Sequence, residues 1–464
     1  MPKTPEDNAG AMKVGGGHAP EGIERAAADE LLRCNRCGFC VESCPTYRAT
    51  FHELFVARGR NRLAGKALDG EVEIDDELAE PLFQCLLCEA CTNVCRSSVK
   101  TAEAMVAARH GYWKAKGRPA AMRMVFDRLL PNPRLMARVM KLLATGKRSG
   151  LSTLARRLGL LRWINARLEG AEGLVETMPS TFLRERLAGM GFERSREGEE
   201  TTMVWRRKEG ADGPRIAYFI GCGTNFQIPD AGEAAMRVLH AGGCEIVVAE
   251  HVCCGLPPYS YGDLEAAEVL IERNVRTLGA LGCDYIVAEC GSCTSFLRKY
   301  GQLGGEEGKA LAEKVRDFTE IAAGLEVPKL RDPMRVTYHD PCHLVRGAGV
   351  RDEPRELLRR AGCELVELNE ADWCCGGAGT YNIMHPELSL AILERKMRNI
   401  AETGVEVVAT ACPSCIIQLR YGARRFADVL GGRKIEVLHV AEVLARAAED
   451  EASEMADEGA MCQT

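Results

Sequence analysis

The sequence lacks the features that are typical of several common classes of protein. Its 464 residues contain no run of about 18 apolar residues, so we expect no membrane-spanning helix. The opening stretch, MPKTPEDNAGAMKVGGGHAPEG, has no apolar core and does not resemble a signal peptide. A formal net charge of −6 does not favour nucleic-acid binding, and we expect no nucleic-acid partner. The chain is therefore predicted to be cytoplasmic.

A dinucleotide-binding motif is also missing. No G-x-G-x-x-G follows a predicted strand, no P-loop is present, and the nearest segment, GCGTNF at 221–226, lacks the third glycine. Oxidation of an organic substrate by hydride transfer needs a flavin or a nicotinamide. We therefore expect no flavin or NAD on this chain, and we expect any substrate oxidation to take place on a partner.

Cysteine, in contrast, is abundant, with 22 residues. In a small secreted chain this number would indicate a disulfide framework. In a large chain without an export signal, metal ligation is the better interpretation. The spacing of the cysteines supports it.

The first eight cysteines form two C-x2-C-x2-C-x3-C motifs. Three closely spaced thiolates can surround one corner of a cubane cluster, and the fourth cysteine faces the other cluster in two-cluster ferredoxins. One [4Fe–4S] cluster is therefore assigned to Cys34, Cys37, Cys40 and Cys95. The other is assigned to Cys85, Cys88, Cys91 and Cys44.

Zinc is the alternative for these motifs, because C-x2-C knuckles also bind zinc. Two groups of four cysteines with the 2-2-3 spacing favour the ferredoxin arrangement. One departure is that Arg96 stands where a proline usually follows the fourth cysteine, whereas Pro45 is present after the first motif. That proline shapes the loop and is not a ligand.

The second half of the chain is an internal repeat. RIAYFIGCG (215–223) matches RVTYHDPCH (335–343), and LIERNVRTLGALGCDYIVAECGSC (270–293) matches ILERKMRNIAETGVEVVATACPSC (392–415). Short β-branched runs alternate with longer helical patterns in each copy, which predicts two α/β lobes with parallel strands. The cysteines are predicted to lie in loops at the ends of the strands.

Each copy carries one cysteine, then Cys-Cys-Gly, then C-x2-C. Adjacent cysteines in an extended segment point apart, which suits a cluster that wraps around the backbone. Gly255 and Gly376 would let the backbone approach inorganic sulfide, and zinc remains the alternative. The candidate ligands are Cys222, Cys253, Cys254, Cys290 and Cys293 in the first lobe, and Cys342, Cys374, Cys375, Cys412 and Cys415 in the second.

On these motifs the chain resembles a known family. The Cys-Cys-Gly pattern is similar to the cysteine-rich (CCG) domain of heterodisulfide reductases and of glycolate and D-lactate oxidoreductase iron–sulfur subunits. RCGFCVESCPTYRAT, CLLCEACTNVC and CCGGAGTYNIMHPELS resemble the glycolate oxidase iron–sulfur subunit, a relative of the iron–sulfur subunit of anaerobic glycerol-3-phosphate dehydrogenase. The resemblance covers residues 28 to 440.

The resemblance implies an iron–sulfur electron-transfer subunit of an oxidoreductase. Its partner would be an FAD-containing 2-hydroxyacid dehydrogenase acting on glycolate or lactate, and electrons would leave to a quinone or an electron-transfer flavoprotein. Two ferredoxin-type [4Fe–4S] clusters and one or two further [4Fe–4S] clusters of noncubane type are implied. The alternative is a heterodisulfide-reductase-like subunit that reduces a disulfide or a quinone at a noncubane cluster.

The predicted fold is an α+β multidomain chain. Residues 114–167 carry 14 Lys and Arg against one acid, Asp127, which indicates docking to an acidic partner or to the inner face of the cytoplasmic membrane, or simply a solvated helical face. The predicted domains are a disordered tail (1–27), a helical two-cluster ferredoxin domain (28–113), a basic helical linker (114–210), CCG lobe 1 (211–330), CCG lobe 2 (331–447) and an acidic, mobile tail (448–464).

Four cysteines fall outside the motifs. Cys244 and Cys363 are equivalent in the repeat and are predicted to be small core residues, as is Cys283, which aligns with Val405. Cys462, in the tail, is given no role. Three histidines near the ligands have either structural roles or roles in tuning the clusters: His251, His339 and His343.

Overall fold

The computed structural model describes residues 29–461, except 70, 74, 165, 198 and 199. The predicted N-terminal tail and Cys462 lie outside the described residues. The described chain forms two compact units. One comprises the residues up to Arg118 together with Ser260–Asp263, and the other comprises Pro119–Tyr259 and the chain from Leu264 onward.

The first unit is helical around a core that includes Val56, Leu82 and Met105. The Asp75 side chain caps one of its helices by accepting a hydrogen bond from the Leu78 amide at 2.9 Å. The helices are Cys40–Ser43, Pro45–Thr50, Ala57–Leu68, Asp76–Phe83, Ala90–Asn93 and Thr101–Lys116, with a 3₁₀ turn at Glu53–Phe55.

Ser260–Asp263 belongs to this unit although the repeat places it in lobe 1. His110 Nδ1 lies 3.0 Å from the Gly262 carbonyl, and Trp113 Nε1 donates to the Tyr261 carbonyl at 2.8 Å. Arg109 donates to the Ser260 carbonyl as well.

The second unit begins with the basic helical segment. One face of its longest helix, Pro133–Arg148, packs through Met136, Met140 and Ala144 toward Phe182 and Phe226. The helices of this segment are Ala120–Arg123, Met124–Leu129 (a π-helix), Pro133–Arg148, Leu151–Arg157, Leu160–Ile164, Ala166–Leu174 and Leu183–Arg186, followed by a 3₁₀ turn at Leu187–Met190.

Lobe 1 is built on a six-stranded sheet. Its strands are β1 (Glu193–Glu197), β2 (Glu200–Trp205), β3 (Arg215–Tyr218), β4 (Glu245–Ala249), β5 (Tyr285–Ala288) and β6 (Val315–Asp317). The order is β1-β2-β4-β3-β5-β6, and the four strands from β4 to β6 are parallel. The helices are Cys222–Phe226, Pro229–Ala241, Leu256–Ser260, Leu264–Gly279, Gly291–Leu303, Gly305–Lys314 and Phe318–Ala323.

Strands β1 and β2 form a hairpin within the segment that was predicted to be helical linker. β2 pairs antiparallel with β4, and its Thr202 and Val204 are buried while the residues between them are less so. The outer strand, ERSRE, is highly charged, as is common at a sheet edge that must not recruit another strand. The β-branched and aromatic residues of ETTMVW, which favour strands, are the sequence signal for this hairpin.

Lobe 2 has a four-stranded, all-parallel sheet. Its strands, in the order β10-β9-β7-β8, are β7 (Arg335–Tyr338), β8 (Glu364–Leu365), β9 (Val407–Thr410) and β10 (Glu436–His439). The helices are Glu353–Arg360, Tyr381–Met384, Pro386–Thr403, Pro413–Arg425 and Val440–Met461, with a π-helix at His343–Gly347. The last helix continues through the segment predicted to be an acidic tail, as far as Met461.

The two lobes share their hydrophobic cores. One cluster of buried side chains includes Phe296 and Leu297 from lobe 1 and Leu419 from lobe 2. Backbone hydrogen bonds also cross between the lobes, since the Gly291 amide donates to the Ala411 carbonyl at 3.0 Å. The predicted fold class, a helical ferredoxin domain with two α/β lobes, is confirmed.

Candidate metal centres

The second ferredoxin motif encloses a cavity together with one residue of the first motif. Four predicted ligands of one cluster line this cavity of about 380 Å³, which includes space open to solvent: Cys44, Cys85, Cys88 and Cys91. Burial, followed by the neighbouring Cys85 and Cys44 thiols, raises the pKa of Cys91 to about 12. Crowded, buried thiols of this kind ionise only when a bound cation compensates their charge.

Left-handed backbone curls the two ferredoxin loops in the same way. Arg36 and Gly38 in the first loop have φ of 55° and 90°, and Leu87 and Glu89 in the second have φ of 53° and 58°. Each pair lies at the same two positions of its motif. A residue with left-handed φ between successive cysteines changes the direction of the backbone, so that the three thiols can point toward one centre.

The other predicted cluster set draws on the same two loops. Burial raises the pKa of the Cys40 thiol, and the neighbouring Cys44 and Cys34 thiols add to the rise. Asn35 Nδ2 donates to Ser97 Oγ at 2.9 Å, which holds the turn after Cys95 beside the first loop. Ligation by Cys34, Cys37, Cys40 and Cys95 stays a prediction.

Arg60 is buried beside Cys44 and hydrogen-bonds the backbone around it, although no sequence motif indicates this role. The side chain is 1% exposed and donates to the Pro81 carbonyl at 2.7 Å and to the Phe55 carbonyl at 2.7 Å. Its Nη1 lies 4.0 Å from Cys44 Sγ. A buried cation beside a candidate ligand favours an anionic cluster.

In both lobes the candidate ligands follow the carboxyl ends of parallel strands. The three segments that carry the candidate ligands of lobe 1 follow β3, β4 and β5. Their counterparts in lobe 2 follow β7, β8 and β9. Cys290 and Cys412 each occupy the N-cap of a 13-residue helix, and Cys293 and Cys415 lie in its first turn. The positive end of a helix dipole favours thiolate over thiol.

Within each lobe the five thiols lie in a continuous row. Each thiol is within hydrogen-bonding reach of the next, and Cys375 Sγ lies 3.7 Å from Cys415 Sγ. The order is Cys222, Cys253, Cys254, Cys293 and Cys290 in the first lobe. It is Cys342, Cys374, Cys375, Cys415 and Cys412 in the second.

The two rows meet, because Cys290 and Cys412 are themselves within hydrogen-bonding reach. These two cysteines are equivalent in the repeat. The junction is reinforced by Ser292, whose Oγ lies 3.5 Å from Cys412 Sγ, and by His439, whose Nε2 lies 2.8 Å from the Glu289 carbonyl. Ten thiols converge here, more than a single zinc ion can bind, so the donor set fits sulfur-rich iron clusters.

Gly255 and Gly376 have φ of 94° and 81°, a left-handed conformation that favours glycine. A Cβ at Gly376 would lie 2.8 Å from the Ser389 carbonyl oxygen, and one at Gly255 would lie 3.2 Å from the Phe296 ring. Both glycines are therefore required by the fold itself. Their approach to inorganic sulfide stays a prediction.

The cysteines predicted to be core residues lie apart from the thiol rows. Cys244, Cys283 and Cys363 are buried within hydrophobic clusters. Burial alone raises the pKa of Cys244 and of Cys363 to about 11, as expected for inert thiols.

Two buried polar groups near the lobe thiols were not predicted from the sequence. Lys396 is fully buried in lobe 2 where the repeat has Asn274 in lobe 1, and Glu289 is fully buried where lobe 2 has Ala411. A position-by-position comparison of the two copies, looking for a charge in one copy only, would have found both.

A cavity of about 620 Å³, counting its open mouth, lies beside the first lobe's thiols Cys222 and Cys253. Arg184 and His251 line it, and Arg184 donates to His251 Nε2 at 2.9 Å. Burial lowers the pKa of Arg184 to about 10. The remaining wall is largely apolar and includes Phe182 and Phe226.

Family models match most of this architecture. They are the 4Fe-4S dicluster domain at 30–99, the linker region of the glycolate oxidase iron-sulfur subunit at 117–175, and the cysteine-rich domain CCG at 216–298 and 336–420. A dicluster domain implies two [4Fe–4S] clusters. Among the described helices, none has the length and apolarity needed to cross a membrane.

Curated relatives match over nearly the whole chain. The probable glycolate oxidase iron-sulfur subunit of Bacillus subtilis strain 168 is 32% identical, over 92% of this chain and 96% of that protein. The glycolate oxidase iron-sulfur subunit of Escherichia coli strain K12 is 26% identical, over 86% and 92%. One subunit of the fumarate reductase (CoM/CoB) of Methanothermobacter marburgensis is 35% identical over 52% of this chain and 47% of its own length. With its dicluster domain, its linker and its two CCG domains, the chain belongs to the family of glycolate oxidase iron–sulfur subunits.

Proposed function

We propose that this chain carries electrons from an FAD-containing 2-hydroxyacid dehydrogenase subunit, which oxidises glycolate or lactate, to a quinone or another acceptor such as an electron-transfer flavoprotein. The observation that carries the proposal is the combination of full-length family similarity with cysteine sets for several clusters on a chain that has no dinucleotide motif. Bound [4Fe–4S] clusters supply one-electron transfer.

The chain's own residues hold and insulate these centres. Helix N-termini present Cys290, Cys293, Cys412 and Cys415 at their positive ends, which stabilises the thiolates that iron requires. Arg60 and Lys396 are buried cations near candidate ligands, so they lower the cost of adding an electron.

The test is an anaerobic purification of the tagged chain from its native host. Glycolate or D-lactate is then added, with acetate as a control that lacks the hydroxyl group. We expect a flavoprotein to co-purify and the visible iron–sulfur absorbance to bleach with a hydroxyacid only. A preparation that holds zinc and is colourless would overturn the proposal, as would an iron-containing complex that neither hydroxyacid reduces.

A second function is favoured by the cavity beside Cys222 and Cys253. Cys222 is exposed, and Arg184, which donates to the Ala249 carbonyl and to His251, places a positive charge in the cavity wall. Glu185 also lines the cavity and is paired with Lys141. This arrangement suits a disulfide that carries acidic groups, which two electrons and two protons would convert to two thiols. Reoxidation of the dithionite-reduced protein by such a disulfide, weakened in Arg184→Met, would support this function over the first.

The basic segment is proposed to dock on the anionic inner face of the cytoplasmic membrane, where a quinone would be accessible. Ten of its described large apolar side chains are exposed, and Trp163 is 86% exposed. Leu142 and Leu143 stand on helix Pro133–Arg148 beside exposed Arg138 and Arg148. Interleaved basic and apolar side chains are typical of helices that lie in a membrane interface. These apolar side chains are Met124, Val125, Leu135, Leu142, Leu143, Leu151, Leu154, Leu158, Leu160 and Trp163.

Co-sedimentation with vesicles tests this docking. We expect binding to vesicles that contain about 30% phosphatidylglycerol, weak binding to pure phosphatidylcholine, and loss of binding in Leu142→Glu/Trp163→Glu. Val269→Glu changes an exposed apolar side chain outside the segment and should bind as the unaltered protein does. Capture of an acidic subunit by the segment without any vesicle binding would contradict membrane docking.

A further inference from the structure

Beside the thiols of lobe 2 lies a histidine, His339, at a position where lobe 1 has a different residue. It follows β7 at the position that Phe219 occupies after β3. Phe219 packs in the core and stacks on His251 with ring centroids 4.1 Å apart. His339 is equally buried, at 0% exposure, but it places two ring nitrogens where lobe 1 has only carbon.

Among the described residues, neither ring nitrogen of His339 has a hydrogen-bond partner. The Ala371 carbonyl is close enough to favour the protonated ring slightly, but it does not complete a hydrogen bond with either nitrogen. An unsatisfied buried polar group costs about 1–3 kcal/mol. Since phenylalanine fills the same position in lobe 1, ring volume alone does not account for the imidazole.

The thiols of Cys375 and Cys415 lie against this imidazole. One ring nitrogen of His339 and the two Sγ atoms all lie within 4.8 Å of one another. The two sulfurs are 3.7 Å apart. Two thiolates on one tetrahedral metal, with bonds of about 2.3 Å, are separated by about 3.8 Å. The two sulfurs therefore already have the spacing of ligands to a shared metal.

The surroundings of the ring also suit a ligating histidine, because a backbone carbonyl lies close to the imidazole. A ligating histidine commonly directs its other N–H at a carbonyl, and the Ala371 carbonyl lies on hand for that role.

We propose that His339 is a nitrogen ligand to the iron that Cys375 and Cys415 hold, so that the lobe 2 cluster has an imidazole donor and the lobe 1 cluster does not. This inference rests on the proposed presence of an iron–sulfur cluster in lobe 2. A neutral imidazole adds an iron ligand without the negative charge that a further thiolate would bring, and imidazole ligation goes with a higher reduction potential in Rieske centres. The lobe 2 cluster is thereby suited to accept electrons.

The experiment is pulsed EPR on the protein grown with ¹⁵N-histidine and poised to make the lobe clusters paramagnetic. We expect a strong ¹⁵N hyperfine coupling of the size that a directly bound imidazole gives. His339→Phe, which installs the lobe 1 residue, should abolish that coupling and shift one midpoint potential downward. His339→Asn serves the same purpose if the phenylalanine variant does not fold.

The unaltered protein tests the inference without any variant. A lobe 2 cluster signal without nitrogen coupling, or with only the weak coupling of a hydrogen bond, would overturn ligation by His339 and leave the proposed function standing. Absence of any lobe cluster in an iron-replete preparation would overturn both. A coupling that survives in His339→Phe would assign the nitrogen to another residue and would also overturn the inference.

Discussion

Lys396 stands in lobe 2 where Asn274 stands in lobe 1, and each side chain hydrogen-bonds the backbone that leads to its own Cys-Cys pair. Lys396 Nζ donates to the Glu370 carbonyl at 2.6 Å, and Asn274 Nδ2 donates to the Cys253 carbonyl at 2.9 Å. Burial lowers the pKa of Lys396 to about 8, so it remains mostly protonated at pH 7. At this position the duplicated lobes thus differ by one buried positive charge.

Removing this charge should lower the reduction potential of the lobe 2 cluster and leave that of the lobe 1 cluster unchanged. In Lys396→Met we expect the lobe 2 midpoint potential to fall, because an added electron loses a nearby cation. A loss of about 2 kcal/mol of interaction corresponds to roughly 90 mV for a one-electron couple. EPR-monitored redox titration measures the shift. The reciprocal Asn274→Lys should raise the lobe 1 potential, and unchanged potentials in both variants would contradict this role.

Arg60 should stabilise the ferredoxin unit against thermal unfolding. Arg60→Met leaves the Pro81 and Phe55 carbonyls buried without this donor. We expect the melting temperature of the unit, followed anaerobically by visible absorbance, to fall by roughly 5–10 °C. Arg58 is the matched control, since it forms an exposed ion pair with Glu53. Arg58→Met should change the melting temperature little, and an equal loss in both variants would show that Arg60 has no special role.

The ligand spacing could be predicted from the sequence because it is local. A motif such as C-x2-C-x2-C limits how far apart three sulfurs can be, whatever the rest of the fold does. The meeting of Cys290 with Cys412 could not be predicted in this way, since it depends on how two lobes pack. The role of Arg60 could not be predicted either, because a basic residue in a helix usually faces solvent and nothing local marks this one as buried.

Left-handed positions of the ferredoxin loops should respond oppositely to glycine and alanine. Gly38→Ala is expected to destabilise the unit by about 1–2 kcal/mol, because φ of 90° suits glycine. Glu89→Gly should stabilise it by up to about 1 kcal/mol, since it relieves φ of 58°. Gly65→Ala is the control: it lies within helix Ala57–Leu68 with open space at its Cβ, so alanine should be favourable there. Anaerobic thermal denaturation decides between these signs.

The iron content of alanine variants should distinguish the cysteines that bind a cluster from the cysteines that only pack in the core. Cys254→Ala is expected to remove one cluster, about four iron atoms per chain. Cys244→Ala should keep the full iron content, because its thiol is buried away from the thiol rows. Iron and acid-labile sulfide are measured on anaerobically purified protein. Equal iron in the two variants would remove Cys254 from the ligand set.

The contact between Cys290 and Cys412 has a consequence for the history of the fold. Contact between two equivalent residues is the mark of an isologous, two-fold interface between identical subunits. The lobes therefore meet as the two halves of a homodimer would, and the duplication joined into one chain an arrangement that two separate copies of a single lobe could already have formed. Once the copies were joined, each could change independently of the other. A phenylalanine could therefore occupy the lobe 1 position equivalent to His339, and an asparagine the position equivalent to Lys396.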